Sequence, residues 1–175
     1  NFCLKNHKIL LILIENEMIK IDQQILTELR KPEHINFFFH EIDTFYAGNP
    51  LKLDEFNQEN YRIYEEKRKL GQNDDLIAQM IRNDEVEKFI VYVNKNGMKL
   101  NSNINESNFE TNEFLINKIP TLIEYAAFFG SIQIFQYLKM NNVQLTKSLW
   151  LYAIHSNNPE LIHFLEENHI EPIDK

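Results

Sequence analysis

Histidine is the residue type in this sequence that could most readily support catalysis or metal binding, since six are present among 175 residues. Two imidazoles on one helix bind a single metal ion when they are four residues apart. His155, His163 and His169 are instead spaced eight and six apart. His34 and His40 are six apart, which places them on different faces of a helix. We therefore expect surface histidines and no metal site.

Other residue patterns also give no catalytic site. Glu166 and Glu167 are neighbours, but adjacent residues on a helix do not face each other, so general acid–base use is not expected. The sequence has no glycine-rich phosphate loop, nucleophile elbow or His-Glu-x-x-His pattern. Its single cysteine, Cys3, cannot form an internal disulfide, which favours a reducing compartment. We expect a cytoplasmic protein without catalytic activity and without a cofactor.

Composition and charge argue against two classes of partner. The chain carries 26 acidic and 18 basic residues, a net charge of −8, so nucleic acid and anionic membrane surfaces are poor partners. Its longest apolar run, Ile9 to Ile14, is far shorter than the roughly 20 residues that span a bilayer. With 43% apolar residues and only 4 Gly and 5 Pro, the chain is expected to be soluble and all-α.

The C-terminal part of the chain repeats itself. Residues 121–141 align with residues 148–168 at a constant spacing of 27 and without gaps. The matching pairs include Leu122 and Leu149, Tyr125 and Tyr152, Ala126 and Ala153, Leu138 and Leu165, and Asn141 and Asn168. A fainter copy occupies residues 74–93, at a spacing of 48 from the first. Such self-similarity predicts a stack of helix-turn-helix units.

Two columns in this alignment predict where the helices begin and end. Asn83, Ser131 and Asn158 each precede the second helix of a unit and are expected to cap it, and Pro159 suits the first helical position. The second column recurs four times: Leu13-x-x-Asn16-x-Met18, Val93-x-x-Asn96-x-Met98, Leu138-x-x-Asn141-x-Val143 and Leu165-x-x-Asn168-x-Ile170. We expect each asparagine to close its helix in the left-handed conformation, with the apolar residue folding back.

Residues 1–72 are predicted to form a helical N-terminal region. Apolar side chains at helical spacing predict helices over 7–31, and Pro32 should begin another. The stripe of this second helix is expected to be buried and consists of Ile35, Phe38, Phe39, Ile42, Phe45 and Tyr46. A break at Ala47–Pro50 ends it, and a helix capped by Asp54 runs to about Leu70, where Gly71 is a left-handed terminator.

The unit that begins at Thr121 resembles the ankyrin repeat. The residues on the signature positions are Thr121, Ile123, Ala126, Ala127, Gly130 and Leu138, and Thr121 with Glu124 forms a capping box. Leu122 stands where the family has Pro, and Glu124 where it has His. The spacing of 27 is below the usual period of about 33, which implies a β-hairpin finger reduced to a tight connection. The chain is similar to divergent ankyrin proteins of some unicellular parasites, in which a helical region precedes the repeats.

This resemblance implies an ankyrin-like helical solenoid over residues 73–175. The repeats are expected at about 73–100, 119–145 and 146–172, and the residues 101–118 form an inserted loop, either a partner contact or a tolerated insertion. We suspect an excised part of a longer array. The expected core consists of Leu122, Ile123, Ala126, Ile134, Phe135, Leu138, Trp150, Ala153, Leu161, Ile162 and Leu165.

In ankyrin-like proteins the residues after the small pair of the first helix line the concave face that binds partners. The corresponding residues here are Met80, Ile81, Phe128, Phe129, His155 and Ser156. Phe128 and Phe129 are the sharpest candidates because exposed aromatic residues concentrate binding energy, unless one or both pack into the core. The expected function is protein–protein interaction. The alternative is a purely structural segment of a longer repeat protein, without its own partner.

Overall fold

The computed structural model describes residues 6–47 and 55–172. Three features predicted from the sequence lie at least partly outside these ranges: Cys3, the break at residues 47–50 and the cap at Asp54. Within the described ranges the protein is all-helical, as predicted. No strand forms there, and the one β-type pairing is an isolated antiparallel bridge between Asn103 and Thr121.

Twelve helices lie within the described residues. In chain order they are α1 (His7–Glu15), α2 (Gln23–Leu29), α3 (Pro32–Ile35), α4 (Phe39–Ala47), α5 (Glu55–Leu70), α6 (Leu76–Arg82), α7 (Val86–Lys95), α8 (Glu113–Lys118), α9 (Leu122–Phe129), α10 (Ile132–Met140), α11 (Leu149–Ser156) and α12 (Pro159–Glu167). They belong to two compact units. The first unit consists of the residues up to 74 and of 107–117, and the second of 75–106 and the residues from 118.

The core of the first unit combines leucines with an aromatic pair and differs from the predicted stripe. It contains Leu10, Leu11, Leu29, Phe37 and Phe38, with Ile42 packed against it. The side chains of Ile35, Phe39, Phe45 and Tyr46 are exposed, so the prediction of a buried stripe is wrong for these four. The reason is a break after Ile35. The single helix that was predicted over residues 32–46 is divided there into α3 and α4. This break turns Phe37 inward and ends the helical period on which the prediction depended.

Part of the segment predicted as a loop is built into the first unit. Thr111 donates from its backbone and its hydroxyl to the carbonyl of Gly71, at 3.3 and 2.8 Å. Gly71 has a φ of +65°, as its predicted role requires, and a Cβ there would approach the Thr111 hydroxyl to 2.7 Å. The Glu110 carboxylate accepts the backbone N–H of Asn73 at 3.3 Å. Residues 107–117 are therefore anchored rather than free.

The second unit consists of three helix pairs. They are α6 with α7, α9 with α10, and α11 with α12. Helix α9 packs against both α6 and α11, and α7 packs against α10. Nine of the eleven predicted core residues are buried. The other two, Trp150 and Ile162, are half-buried.

The four predicted helix ends share one geometry. Asn16, Asn96, Asn141 and Asn168 are the C-terminal caps of α1, α7, α10 and α12, and each side-chain amide donates to the carbonyl four residues earlier at 2.8 Å. The apolar residue two positions on folds back, since its N–H donates to the carbonyl of the Leu or Val, at 2.9 to 3.1 Å. The left-handed conformation, however, belongs to the residue after each asparagine, at φ +54° to +61°.

The predicted N-cap column is right at one position and wrong at another. Asn158 caps α12 and accepts the N–H of Glu160 at 3.0 Å. Asn83 instead ends α6, and α7 begins after Glu85. Ser131 is the N-cap residue of α10 but its hydroxyl makes no capping bond.

Candidate functional site

Five residues form a continuous row across the second unit, here called the aromatic strip: Arg82, Tyr125, Phe128, Phe129 and His155. They come from three successive first helices, α6, α9 and α11. The strip lies toward the C-terminal ends of these helices, so the positions at which each helix ends determine its geometry.

The central helix of the strip, α9, is fixed at both ends. At its start the predicted capping box is present, because Glu124 and Thr121 exchange hydrogen bonds of 2.9 and 3.4 Å. At its end Gly130 has a φ of +70°, a left-handed conformation that glycine adopts without strain. Phe129 is therefore the last residue of the helix and lies where the chain turns away.

Hydrogen bonds between successive pairs hold the three helix ends in register. The Ser131 hydroxyl donates to the carbonyl of Ile81 near the end of α6. The Asn158 side-chain amide donates to the carbonyl of Gly130 at the end of α9, at 3.5 Å. Each pair is thus tied to the preceding one at the turn before its second helix, next to the strip.

Distances along the strip are those of direct contact. Nη1 of Arg82 donates to the Tyr125 hydroxyl at 2.8 Å, and its Cζ lies 6.0 Å from the centroid of the Phe129 ring. The Phe129 ring centroid lies 4.8 Å from that of Tyr125 and 5.0 Å from that of Phe128. The Phe128 ring is 4.9 Å from that of His155. Aromatic pairs at such distances attract each other beyond their buried area.

Three of the six predicted partner-binding residues are in the core. Met80, Ile81 and Phe128 are exposed by only 7%, 0% and 9%. Their side chains fill the space between stacked helices, so the expectation that they are exposed to a partner is corrected. Phe129 and Ser156 are half-buried and His155 is exposed. Of these three, Phe129 and His155 belong to the strip and Ser156 does not.

Arg82 and Tyr125 are functional candidates that the sequence did not reveal. Tyr125 matches Tyr152 in the repeat alignment and so looks like a core position, and it is indeed buried. Arg82 is the cation in the last turn of α6, which is visible in the sequence, but its partner is 43 residues away. Among the residues that the structure describes, Arg82 forms no ion pair with a carboxylate.

A groove of about 800 Å³ in the second unit is the main competing feature. It is lined by residues that include Lys99, Asn101, Thr121, Glu124, Asn142, Val143 and Ser148. The Glu124 carboxylate in this groove is already engaged by the capping box and accepts the Ser148 hydroxyl at 2.5 Å. Burial and the Glu124 charge raise the pKa of the nearby Tyr152 to about 12. The carboxylate of this groove therefore serves the start of α9.

The prediction of surface histidines is wrong for His34. Its side chain is buried, and its Nδ1 lies 2.7 Å from Nε2 of His7, a hydrogen bond inside the core of the first unit. The His7 ring stacks on Phe37 at 4.7 Å. Burial and, to a smaller extent, electrostatic repulsion by His34 lower the pKa of His7 to about 4. Burial also lowers the pKa of His34. This pair is kept neutral by its surroundings.

A buried arginine holds the helices of the first unit together. Arg68 on α5 binds Glu41 on α4 through two nitrogens, at 2.7 and 2.9 Å, and contacts Glu65 at 2.8 Å. Its side chain is only 2% exposed. Burial disfavours the charge on Arg68, but these carboxylates outweigh that effect and raise the pKa of Arg68 above its ordinary value. Burial raises the pKa of the adjacent Tyr64 to about 12. All these charges are directed at one another, as in a structural ion pair.

Within residues 6–47 and 55–172, no three or more His, Cys, Asp or Glu side chains form a group that could hold a metal ion. No helix in these ranges has both the length and the apolar character needed to cross a bilayer.

The fold and the strip define an all-α protein whose second unit is built from packed helix pairs. Comparison of the chain with family models, with curated proteins and with solved structures finds no match. Any function must therefore be argued from the geometry.

Proposed function

We propose that the second unit is a divergent ankyrin-like solenoid that binds a partner protein through the exposed side of the aromatic strip, without catalysis. One observation carries this proposal. Residues from three successive helices join in a single row whose members include the half-buried Phe129 and Arg82 and the exposed His155. Aromatic and arginine side chains carry a large share of the binding energy in protein interfaces.

The packing of the helix pairs supports the ankyrin-like part of the proposal. First helices contact first helices, as α9 does with α6 and α11, which is the arrangement of a stacked array. The bridge between Asn103 and Thr121 is what remains of a finger between two repeats. Gly130 and the N-cap residue Thr121 fall on positions that the ankyrin resemblance assigns, whereas Glu124 stands where that family has His.

The net charge of −8 supports a protein partner rather than nucleic acid. The single cysteine and the absence of a membrane-spanning helix among the described residues are compatible with a cytoplasmic site of action, which is part of the proposal.

A second candidate function is a purely structural segment of a longer repeat protein. The burial of Met80, Ile81 and Phe128 favours it, because these residues stabilise the stack instead of presenting a surface. In that case the exposed end of the strip would be no more important for binding than any other exposed position.

Site-specific photocrosslinking separates the two candidates. A photoreactive phenylalanine analogue at position 155 should crosslink one protein species from an extract of the source cell. The same analogue at position 140, where Met140 on α10 is 81% exposed, is the matched control and should not crosslink that species. Equal crosslinking at both positions, or none at 155, contradicts the proposed function and favours the structural segment.

A further inference from the structure

Arg82 is held in place at the edge of the aromatic strip by the Tyr125 hydroxyl, which accepts from Nη1 at 2.8 Å. The Phe129 ring, 6.0 Å from Cζ, lies beside the guanidinium. Of the five N–H donors that a guanidinium carries, the Tyr125 hydroxyl accepts one. A side chain fixed in this way loses little further entropy when it binds a ligand.

The charge of Arg82 is not neutralised by the described residues around it. Asp84, the nearest acidic residue in sequence, directs its carboxylate at the backbone N–H groups of Gln133 and Ile134, at 3.0 and 2.9 Å. The next, Glu85, pairs with Lys88 at 2.7 Å. Arg30 likewise donates to a tyrosine hydroxyl, that of Tyr46 at 2.9 Å, and forms no ion pair among the described residues, whereas the other two arginines are paired with carboxylates. Arg62 and Arg68 each form ion pairs with two glutamates.

Because Arg82 lies within the aromatic strip beside Phe129 and no described carboxylate pairs with it, we infer that Arg82 binds a carboxylate of the partner, so that the strip recognises an acidic side chain beside an apolar one. This inference rests on the proposed function and names the chemistry of the partner. A planar guanidinium pairs with a carboxylate through two parallel hydrogen bonds. The half-buried Phe129 supplies the adjacent apolar contact, and His155 lies at the other end of the row.

An acidic peptide fits this surface better than a nucleic acid. The Arg82 guanidinium, on a protein of net charge −8, can bind one carboxylate, but it cannot follow a phosphate backbone. Among the aromatic members of the strip, the half-buried Phe129 offers part of its ring to an apolar side chain, whereas Tyr125 and Phe128 are buried.

The test begins with a random peptide library displayed on phage and selected against the whole protein. Selected peptides should contain Asp or Glu next to an aromatic or aliphatic residue. Each is then synthesised twice, with the carboxylate and with the matching amide. For wild-type protein the amide should raise the dissociation constant about tenfold, the usual effect of losing a charged hydrogen bond.

The same pair of peptides is titrated into Arg82→Gln. In this variant the two peptides should bind with equal affinity, because the peptide carboxylate has lost the guanidinium with which it pairs. Tyr125→Phe, which removes the hydroxyl that holds the guanidinium, should weaken the acidic peptide alone. Arg62→Gln, an exposed site on α5, is the control and should behave as wild type. If Arg82→Gln does not fold, Arg82→Lys replaces it and should lose the discrimination, since it retains the charge but lacks the planar fork.

The inference is overturned if the selected peptides carry no carboxylate, or if the amide raises the dissociation constant equally for wild type and Arg82→Gln. It is also overturned if the protein binds only polyphosphate or nucleic acid probes. Peptides that depend on Phe129 and His155 but not on Arg82 overturn this inference and leave the proposed function standing. Selection of no peptide, or of peptides that depend on none of the three, overturns both.

Discussion

The carboxylate of Asp84 accepts the backbone N–H of Ile134 at 2.9 Å, and so a residue between α6 and α7 caps the first turn of α10. It also accepts the N–H of Gln133 at 3.0 Å. Ser131, at the N-cap position itself, uses its hydroxyl for the carbonyl of Ile81. One helix pair therefore supplies the acceptor for the N–H groups that begin the second helix of the next pair.

Replacing Asp84 tests this cap. Asp84→Ala should lower the free energy of unfolding by about 1 kcal/mol, because the N–H groups of Gln133 and Ile134 lose their acceptor. Alanine also fits poorly at φ +50°, the conformation of Asp84. Asp84→Asn retains an acceptor oxygen and tolerates this conformation, so its free energy of unfolding should fall by less than that of Asp84→Ala. Urea denaturation measures both. Equal losses in the two variants would show that the cap does not depend on the side-chain oxygen.

Arg68 is expected to be the most sensitive charged residue of the first unit. Arg68→Met leaves the nearly buried Glu41 unpaired, which should cost about 3 to 5 kcal/mol. Arg62→Met on the same helix is the matched control, because Arg62 is 64% exposed and its ion pairs with Glu59 and Glu66 are solvated. It should leave the stability close to that of wild type, because solvated ion pairs contribute little. Similar effects of the two changes in a denaturation experiment would contradict the buried pair.

The shared helix ends predict opposite effects at two equivalent positions. Gly97 and His169 both follow a capping asparagine and have φ values of +58° and +54°. A Cβ at Gly97 would meet nothing within 4 Å, so Gly97→Ala tests the backbone alone and should destabilise by roughly 1 kcal/mol. His169→Gly should stabilise by a similar amount. Thermal unfolding of both variants checks the sign. Stabilisation by Gly97→Ala would refute the left-handed assignment.

The His7–His34 pair predicts a loss of stability in weak acid. The folded-state pKa of His7 lies at about 4, below its ordinary 6.5. Between these pH values His7 is therefore protonated in the unfolded chain and neutral in the folded protein. The free energy of unfolding is therefore highest above pH 6.5 and falls as the pH drops toward 4. Nearby charges on Glu28 and Glu33 oppose this effect in part, and Lys31 adds to it for His34.

The measurement is denaturation at a series of pH values for wild type, His7→Gln and His163→Gln. His7→Gln retains a hydrogen-bonding side chain that does not titrate, so its stability should fall less between pH 6.5 and 4. His163→Gln is the control because His163 is 73% exposed, and it should follow wild type. Parallel curves for wild type and His7→Gln would contradict the buried pair.

Local signals in the sequence predicted much of the helical structure. The capping box at Thr121, the left-handed Gly71 and the cap at Asn158 are confirmed, because each depends on residues a few positions apart. The four asparagine helix ends are also confirmed, although the left-handed residue is the next one. The prediction that Asn83 caps the second helix of its unit was wrong. Asn83 aligns with residues that precede a second helix, but in the structure it ends the first helix, α6.

Contacts between distant residues account for the remaining differences. The predicted stripe of the first unit failed because a break after Ile35 changes which residues face the core. Phe128 and Phe129 are identical in type, but Phe128 is buried and its ring contacts His155 of α11, whereas Phe129 is half-buried. Arg82 could not be selected from the sequence, because its significance comes from Tyr125, 43 residues away.

The central claim is that the exposed side of the aromatic strip binds a partner protein. It is tested most directly by the dissociation constant of the photocrosslinked partner, measured by titration calorimetry. The double change Phe129→Ala with His155→Ala should raise this constant at least about tenfold, since interface aromatics contribute more than 1 kcal/mol each. Met140→Ser should leave it unchanged. Equal affinity of the double variant and wild type, with both folded by circular dichroism, would contradict the claim.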